Sequence, residues 1–256
     1  MELTKEEKAY LELYKGENGE EALREWKGEL SFYEKGLYLT QLSSGRINAF
    51  LNFLTYPKDE TLEELTVYNL DIVLMTIMSL SVIACKCAIE DMYDDGMTVF
   101  RYEHKDNIES YKTGNLCGFK STSFSREGVE IFNDGKKPLL EFHTEGFCPY
   151  IPVNRLTDMG RFNDEYECLL PPYLNCRIND NTVNVYFDNE NDIYDYGALK
   201  EASDNFVKQL MEDQKQGVVS DKLKEYCKTI NGFLRFSIRG VYQKYNDMYN
   251  EIKNTK

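Results

Sequence analysis

Two glutamates in alternate positions are the residues of this chain best suited to chemistry. Glu165 and Glu167 flank Tyr166 and run directly into the stretch Cys168-Leu169-Leu170-Pro171-Pro172. On an extended strand the side chains of residues i and i+2 share one face, so the pattern predicts two carboxyl groups roughly 6 to 7 Å apart. That geometry suits chemistry at a sugar carbon. The alternative is an edge strand whose exposed face carries two solvated acids.

Two further polar motifs precede the acid pair. Arg101 ends the strand-like stretch Thr98-Val99-Phe100-Arg101, and Ser121-Thr122-Ser123 lies inside a second such stretch. Taken singly, the serines fit any edge strand and Arg101 fits a surface salt bridge. An arginine, a Ser-Thr-Ser and a Glu-x-Glu on three successive strands, with a Leu-Leu-Pro continuation, resemble the Arg-Ser-Glu class of mono-ADP-ribosyltransferases. This class includes the cholera-toxin-like and clostridial binary-toxin-like enzymes, and the resemblance covers residues 70–187.

The resemblance implies catalytic roles for three side chains. Glu167 would bind the ribose 2′-hydroxyl of NAD and stabilise the cationic transition state, with Ser121 fixing its rotamer through a hydrogen bond. Glu165 would face the acceptor, and a glutamate at this position goes with arginine as the target. A carboxylate can orient a guanidinium through paired hydrogen bonds. Thr122 and Ser123 would hold the strand beside NAD.

The resemblance also implies an NAD-binding set. Arg101 would grip the pyrophosphate or ribose with its planar donor fork, and Tyr102 stands where the family usually has glycine. Phe132 could stack on nicotinamide or belong to the core, and Lys136 with Lys137 could meet phosphates. A second departure is the length of chain that follows the acid pair, which could cover the cleft, bind a partner or complete the core.

The elements that must position these residues indicate an α+β fold. We expect an ADP-ribosyltransferase-like split mixed β-sheet core with an N-terminal helical layer and C-terminal helices. The corresponding regions are 1–58, 59–190 as the catalytic core, and 191–256. Helical spacing of apolar residues predicts helices in 3–56, with one beginning near 43, and over 72–85, 198–211, 223–230 and 233–252. Alternating β-rich stretches predict strands at 97–102, 119–124, 129–132, 139–143, 150–153, 176–178 and 183–187, with a hairpin tip at Asn133-Asp134-Gly135.

Composition limits the partners. The formal net charge of −14 repels nucleic acid and anionic membranes and favours a basic partner surface. The apolar run over 72–85 is shorter than the roughly 20 residues of a membrane span. The seven cysteines are an odd number without a Cys-x-x-Cys pair, which predicts free thiols in a reducing compartment. Only two histidines are present and neither has ligand spacing, so we expect no metal.

The N-terminus is charged from its first residues and has no apolar h-region, so we expect no ordinary secretory signal. The protein would then act in the cytoplasm of the producing cell or be delivered into a host cell as a toxin or effector. The first hypothesis is transfer of ADP-ribose from NAD to an arginine of a protein. An NAD glycohydrolase is the enzymatic alternative. A non-catalytic module that binds a basic protein is the alternative from another class, and the C-terminal helices could receive a regulatory partner.

Overall fold

The computed structural model describes residues 2–15, 42–92, 96–156, 166–188 and 196–255. Within them seven strands form one sheet. The strands are β1 Thr98–Tyr102, β2 Lys120–Ser123, β3 Leu139–Glu145, β4 Ile151–Pro152, β5 Glu167–Leu170, β6 Asn175–Asn179 and β7 Thr182–Tyr186.

The sheet is mixed. Its order is β4-β5-β2-β1-β3-β7-β6, and β3 pairs with β7 in parallel, while the other neighbours among the described strands are antiparallel. The parallel pair joins a five-strand antiparallel part to the β6–β7 hairpin. The α+β class with a mixed sheet is therefore confirmed.

Helices precede, interrupt and follow the sheet. They are α1 Lys5–Lys15, α2 Ser44–Thr55, α3 Asp59–Leu62, α4 Leu70–Asp91, α5 Lys105–Tyr111, α6 Arg126–Val129, α7 Val153–Leu156, α8 Tyr196–Gln216 and α9 Asp221–Thr255, and a 3-10 turn covers Glu130–Phe132. The predicted helices near 43–55, 72–85 and 198–211 are confirmed, as are the predicted strands other than 129–132.

The strand and hairpin expected from 129 to 136 are wrong. Residues 126–132 form α6 and the 3-10 turn instead. Ser125 explains the difference, because its Oγ accepts a hydrogen bond from the Gly128 backbone N–H at 3.0 Å and so caps a helix. The local cap outweighs the β-propensity of Val129, Ile131 and Phe132.

The break expected between two C-terminal helices is also wrong, since α9 is continuous from Asp221 to Thr255. Its buried residues repeat at four-residue intervals through the expected break, and each is 0% exposed: Ile230, Leu234, Ile238 and Tyr242. Burial of this stripe outweighs the helix-weakening effect of Gly232 in the middle of it.

Helix α4 is long and apolar enough to cross a membrane by length and composition alone. It has 22 residues, more than the charge-free run in the sequence suggests. However, 61% of its most apolar window is buried inside the protein, as expected for the core helix predicted from the sequence.

The chain divides into two compact units, each made of separated segments. One unit contains Met1–Leu3, Ser81–Glu190 and Arg239–Lys256, and so holds the sheet. In it the Arg239 guanidinium donates to the carbonyl oxygen of Tyr173 at 3.1 Å and to Asn175 Oδ1 at 3.2 Å. The contiguous regions 1–58, 59–190 and 191–256 stay predictions as domains.

The other unit contains Thr4–Leu80 and Asn191–Ile238. Its core includes an edge-on contact between the rings of Phe50 and Phe206, whose centroids are 6.0 Å apart. Gln214 ties α8 to the end of α3 and the residues after it, because its side-chain amide donates to the carbonyl oxygens of Leu62 and Leu65 at 3.0 and 2.7 Å.

Candidate active site

A row of side chains crosses four neighbouring strands on one face of the sheet. Glu167 on β5 lies opposite Ser123 on β2, Ser123 lies opposite Phe100 on β1, and Phe100 lies opposite Glu141 on β3. Directly paired residues of neighbouring strands project to the same side. The predicted catalytic glutamate and the two serines of the Ser-Thr-Ser motif therefore share a surface with an aromatic ring and a second acid.

Glu167 and Ser121 are joined by a hydrogen bond. The Ser121 hydroxyl donates to Glu167 Oε1 at 2.7 Å, and the backbone N–H of Glu167 donates to Asn154 Oδ1 at 2.9 Å. Glu167 is only 3% exposed. Both ends of the residue are held, so the structure brings together the two predicted residues in the contact that the sequence resemblance implies.

The other two members of the Ser-Thr-Ser motif secure the strand. The Thr122 hydroxyl donates to the Cys168 carbonyl oxygen at 2.6 Å, which ties β2 to β5. Ser123 Oγ accepts from the Ser125 backbone N–H at 3.1 Å, at the start of α6. Contacts of these residues with NAD stay predictions.

Arg101 reaches the site from the other side of the sheet. It follows Phe100 on β1, so alternation sends its side chain to the face opposite the Glu167 row. Its guanidinium nevertheless donates to the Ser121 carbonyl oxygen at 2.7 Å through Nη1, and to Glu103 Oε2 at 2.9 Å through Nε. Arg101 thus holds the backbone of the strand that carries Ser121, and its contact with the pyrophosphate or ribose of NAD stays a prediction.

Glu103 is a site residue that the sequence analysis missed. It is 1% exposed, and its carboxylate also accepts from the Tyr111 hydroxyl at 2.7 Å and from the Asn107 side-chain amide at 3.0 Å. Burial acts to raise the pKa of Glu103, but the charge of Arg101 and these hydrogen bonds outweigh it and lower the pKa to about 2. The available signal was an acid two residues after an arginine, directly beyond the end of β1.

Strand β5 begins at Glu167, and Tyr166 before it has a left-handed backbone with φ of 47°. The regular strand predicted through Tyr166 is therefore wrong, because the extended geometry begins only at Glu167. Glu165 lies outside the described residues, so the spacing of its carboxyl group from that of Glu167 stays a prediction. Tyr166 itself is 57% exposed.

The weaker NAD-binding candidates lie at the end of β1 and on the segment after β2. The Tyr102 hydroxyl donates to Glu130 Oε1 at 2.9 Å, which ties β1 to the 3-10 turn. That turn presents Phe132, which is 51% exposed, so the core alternative for this ring is wrong. The backbone N–H of Lys136 donates to Asp134 Oδ1 at 3.0 Å, and its side chain is exposed.

In the described part of the chain, no group of three or more His, Cys, Asp or Glu side chains could hold a metal ion. The seven cysteines are free and buried. Burial is the main cause that raises the pKa of Cys87, Cys176 and Cys227 to about 12, which disfavours the thiolate form.

No family model and no curated protein matches the chain. The solved structures that are similar to it include two ADP-ribosyltransferases. Plx2a, an ADP-ribosyltransferase toxin from Paenibacillus larvae, is 17% identical over 65% of this chain and 94% of its own, with a TM-score of 0.30. The ADP-ribosyltransferase Vis, solved with agmatine, is 14% identical over 73% of this chain and 86% of its own, with a TM-score of 0.31. At these identities and TM-scores, the function has to be argued from the residues of this chain.

Proposed function

We propose that the chain is an NAD-dependent mono-ADP-ribosyltransferase that transfers ADP-ribose to an arginine of a protein and releases nicotinamide. The observation that carries the proposal is the buried Glu167 carboxylate, fixed by the Ser121 hydroxyl at 2.7 Å. The set of groups around it fits NAD, since a carboxylate suits a ribose hydroxyl and a cationic sugar carbon. Guanidinium groups suit phosphates.

Glu167 would act on the reacting ribose. Breaking the bond between nicotinamide and ribose leaves positive charge on the ring oxygen and the anomeric carbon. A carboxylate that is already oriented and shielded from water stabilises this charge without reorganising. We expect its loss to lower the rate by about 10² to 10³ or more.

The positioning groups form a continuous line behind Glu167. Glu103 holds Arg101, Arg101 holds the Ser121 carbonyl, and the Ser121 hydroxyl holds Glu167. In this proposal Arg101 maintains the geometry of the strand edge that carries Ser121. Tyr102, Thr122, Ser123, Phe132 and Lys136 complete the proposed NAD-binding set.

The acceptor in this proposal is an arginine on a basic protein. Glu165 would receive the guanidinium and assist its deprotonation. The net charge of −14 favours a partner with a positive surface. Action in a reducing compartment and a regulatory partner at the C-terminal helices α8 and α9 belong to the same proposal.

The test uses NAD labelled on its adenylate part, incubated with the protein and with cell lysate or agmatine. Transfer to arginine predicts label on protein and on agmatine. Glu167→Gln should abolish both while the protein stays folded by circular dichroism, and Ser121→Ala should slow both. Glu109→Gln is the matched control, because Glu109 is a surface acid paired with Lys112 at 2.6 Å.

Each alternative function has its own outcome in this experiment. Release of free ADP-ribose without any labelled acceptor would identify an NAD glycohydrolase. Failure of the wild-type protein to bind or consume NAD would identify a non-catalytic module. A mass spectrum that places ADP-ribose on a residue other than arginine would contradict the acceptor assignment alone.

A further inference from the structure

A second arginine lies on the Glu167 face of the sheet. Arg126, the first residue of α6, donates through Nη2 to Glu141 Oε1. Its guanidinium carbon also lies 5.1 Å from the centre of the Phe100 ring. Phe100 and Glu141 belong to the cross-strand row that begins at Glu167. Arg126 therefore lies over Phe100, on the same face of the sheet as the proposed catalytic acid.

The structure does not need Arg126 for its own stability. Its side chain is 57% exposed and that of Glu141 is 31% exposed, and ion pairs at such exposure contribute little. What the two contacts do is restrict the guanidinium. Stacking on a ring and pairing with one carboxylate oxygen leave the planar guanidinium oriented, and that pair uses only one of its two terminal nitrogens.

The distance from Glu167 suits a dinucleotide. Neighbouring strands are about 4.8 Å apart, so Phe100, two strands from Glu167, lies about 10 Å from it across the sheet. A ribose held by Glu167 and a phosphate held over Phe100 fit that span. The guanidinium is then near the phosphates of the same molecule and away from the reacting carbon.

The net charge of the chain also favours Arg126 as the group that holds the phosphates of an anionic ligand. On a chain of net charge −14, an anionic ligand has to be held by nearby cations. Arg101 already donates to Glu103 and to the Ser121 carbonyl. Lys120 stands over the Tyr111 ring at 5.2 Å, on the face opposite Ser121. Arg126 lies on the face of Glu167 and presents an exposed guanidinium.

We propose that Arg126, positioned by Glu141 and Phe100, binds the pyrophosphate of NAD. The proposal rests on the proposed function and names the group that would hold the phosphates there. A planar guanidinium with two parallel N–H donors matches phosphate oxygens in a bidentate contact, and its charge assists the bond. Glu141 would keep the fork in place before the ligand arrives.

The experiment compares the wild type with Arg126→Gln, Arg126→Lys and a matched control, Arg177→Gln. Arg177 is also an exposed arginine stacked on a ring, 5.1 Å from the centre of Tyr186, but it lies on the edge strand β6. Steady-state NAD consumption gives KM and kcat, and calorimetry gives the affinity for ADP-ribose and for nicotinamide.

Arg126→Gln should raise KM for NAD and weaken ADP-ribose binding about 10- to 100-fold, with little change in kcat and in nicotinamide binding. Arg126→Lys should restore part of the lost affinity. Arg177→Gln should leave both KM and the affinity for ADP-ribose unchanged. Unchanged ADP-ribose affinity in Arg126→Gln would overturn the proposal, even if the enzyme consumes NAD. If ADP-ribose binding depends on Arg126 but the protein does not consume NAD, the binding site stands and only the transferase reaction is rejected. A protein that binds no ADP-ribose would reject both.

Discussion

At the level of single residues, the site is a set of fixed polar groups rather than one exposed acid. Glu167 is buried and hydrogen-bonded at its side chain and its backbone. Each group behind it is held in turn by the next. Catalysis by charge stabilisation depends on such fixation, because a carboxylate that must first reorient loses part of its effect.

The pKa of Glu103 leads to a pH prediction. Its pKa falls from 4.5 to about 2 on folding, so the folded state gains stability from this carboxylate above pH 4.5. The gain, on the order of 3 kcal/mol, disappears as the pH falls from 4.5 towards 2. We expect Glu103→Gln to lower the free energy of unfolding at pH 7 and to flatten its decline below pH 4.5.

Urea unfolding at a series of pH values between 7 and 2.5 measures this. Glu109→Gln controls for loss of an acid, since Glu109 is 71% exposed in its side chain. Parallel stability curves for Glu103→Gln and the wild type across this range would show that Glu103 does not keep its charge through the Arg101 pair.

The sequence was sufficient to predict the contact between Ser121 and Glu167, because the order of their motifs and the Leu-Leu-Pro continuation are local patterns. It could not indicate Glu103 or Arg126 in the same way. The importance of Glu103 comes from burial beside Tyr111 and Arg101. That of Arg126 comes from a strand register linking residues of β1 and β3. Both are non-local consequences of folding.

At the level of elements, the sequence analysis predicted the alternating strands correctly and failed at α6 and α9 for different reasons. Strands with alternating apolar residues, such as β3 and β7, were predicted within a few residues because one face of each is buried. The segment after β2 was mispredicted because a single serine cap redirects it into α6. Helix α9 was divided at Gly232 because the buried stripe that carries the helix through is a tertiary effect.

Two glycines of the long helices give a paired stability prediction. Gly240 lies inside α9, and a Cβ there would meet nothing within 4 Å. Gly240→Ala should therefore raise the free energy of unfolding by about 1 kcal/mol, because alanine loses less backbone entropy. Gly217 directly follows the last residue of α8 and has φ of 68°, so Gly217→Ala should lower the free energy of unfolding by about 1 to 2 kcal/mol.

Thermal melting of both variants beside the wild type tests the pair. A Tm shift of a few degrees in opposite directions is expected for a chain of this size. Equal shifts of one sign would mean that helix propensity and left-handed backbone strain are not what these positions contribute.

At the level of the whole molecule, the thiols report on packing. All seven cysteines are free and buried. Burial is the largest cause that raises the pKa of six of them, namely Cys85, Cys87, Cys148, Cys168, Cys176 and Cys227. Buried thiols in the protonated form react slowly with disulfide reagents.

We expect almost no thiol of the native protein to react with Ellman's reagent within minutes at pH 8. In denaturant, all seven cysteines should react. The ratio of the two amplitudes is the measurement. Rapid reaction of several thiols without denaturant would mean that the core opens readily, and fewer than seven in denaturant would reveal disulfide bonds.

The parallel pairing of β3 with β7 governs how the sheet is completed during synthesis. Strand β3 finds β1 early, but its second neighbour begins only at Thr182, after β4, β5 and β6 have been made. At about 5 to 20 residues per second, the ribosome leaves this edge of β3 without a partner for a few seconds. An open edge offers backbone hydrogen bonds to any passing extended chain. Nascent chains arrested before Thr182 should therefore recruit chaperones, and chains arrested well beyond Tyr186 should not.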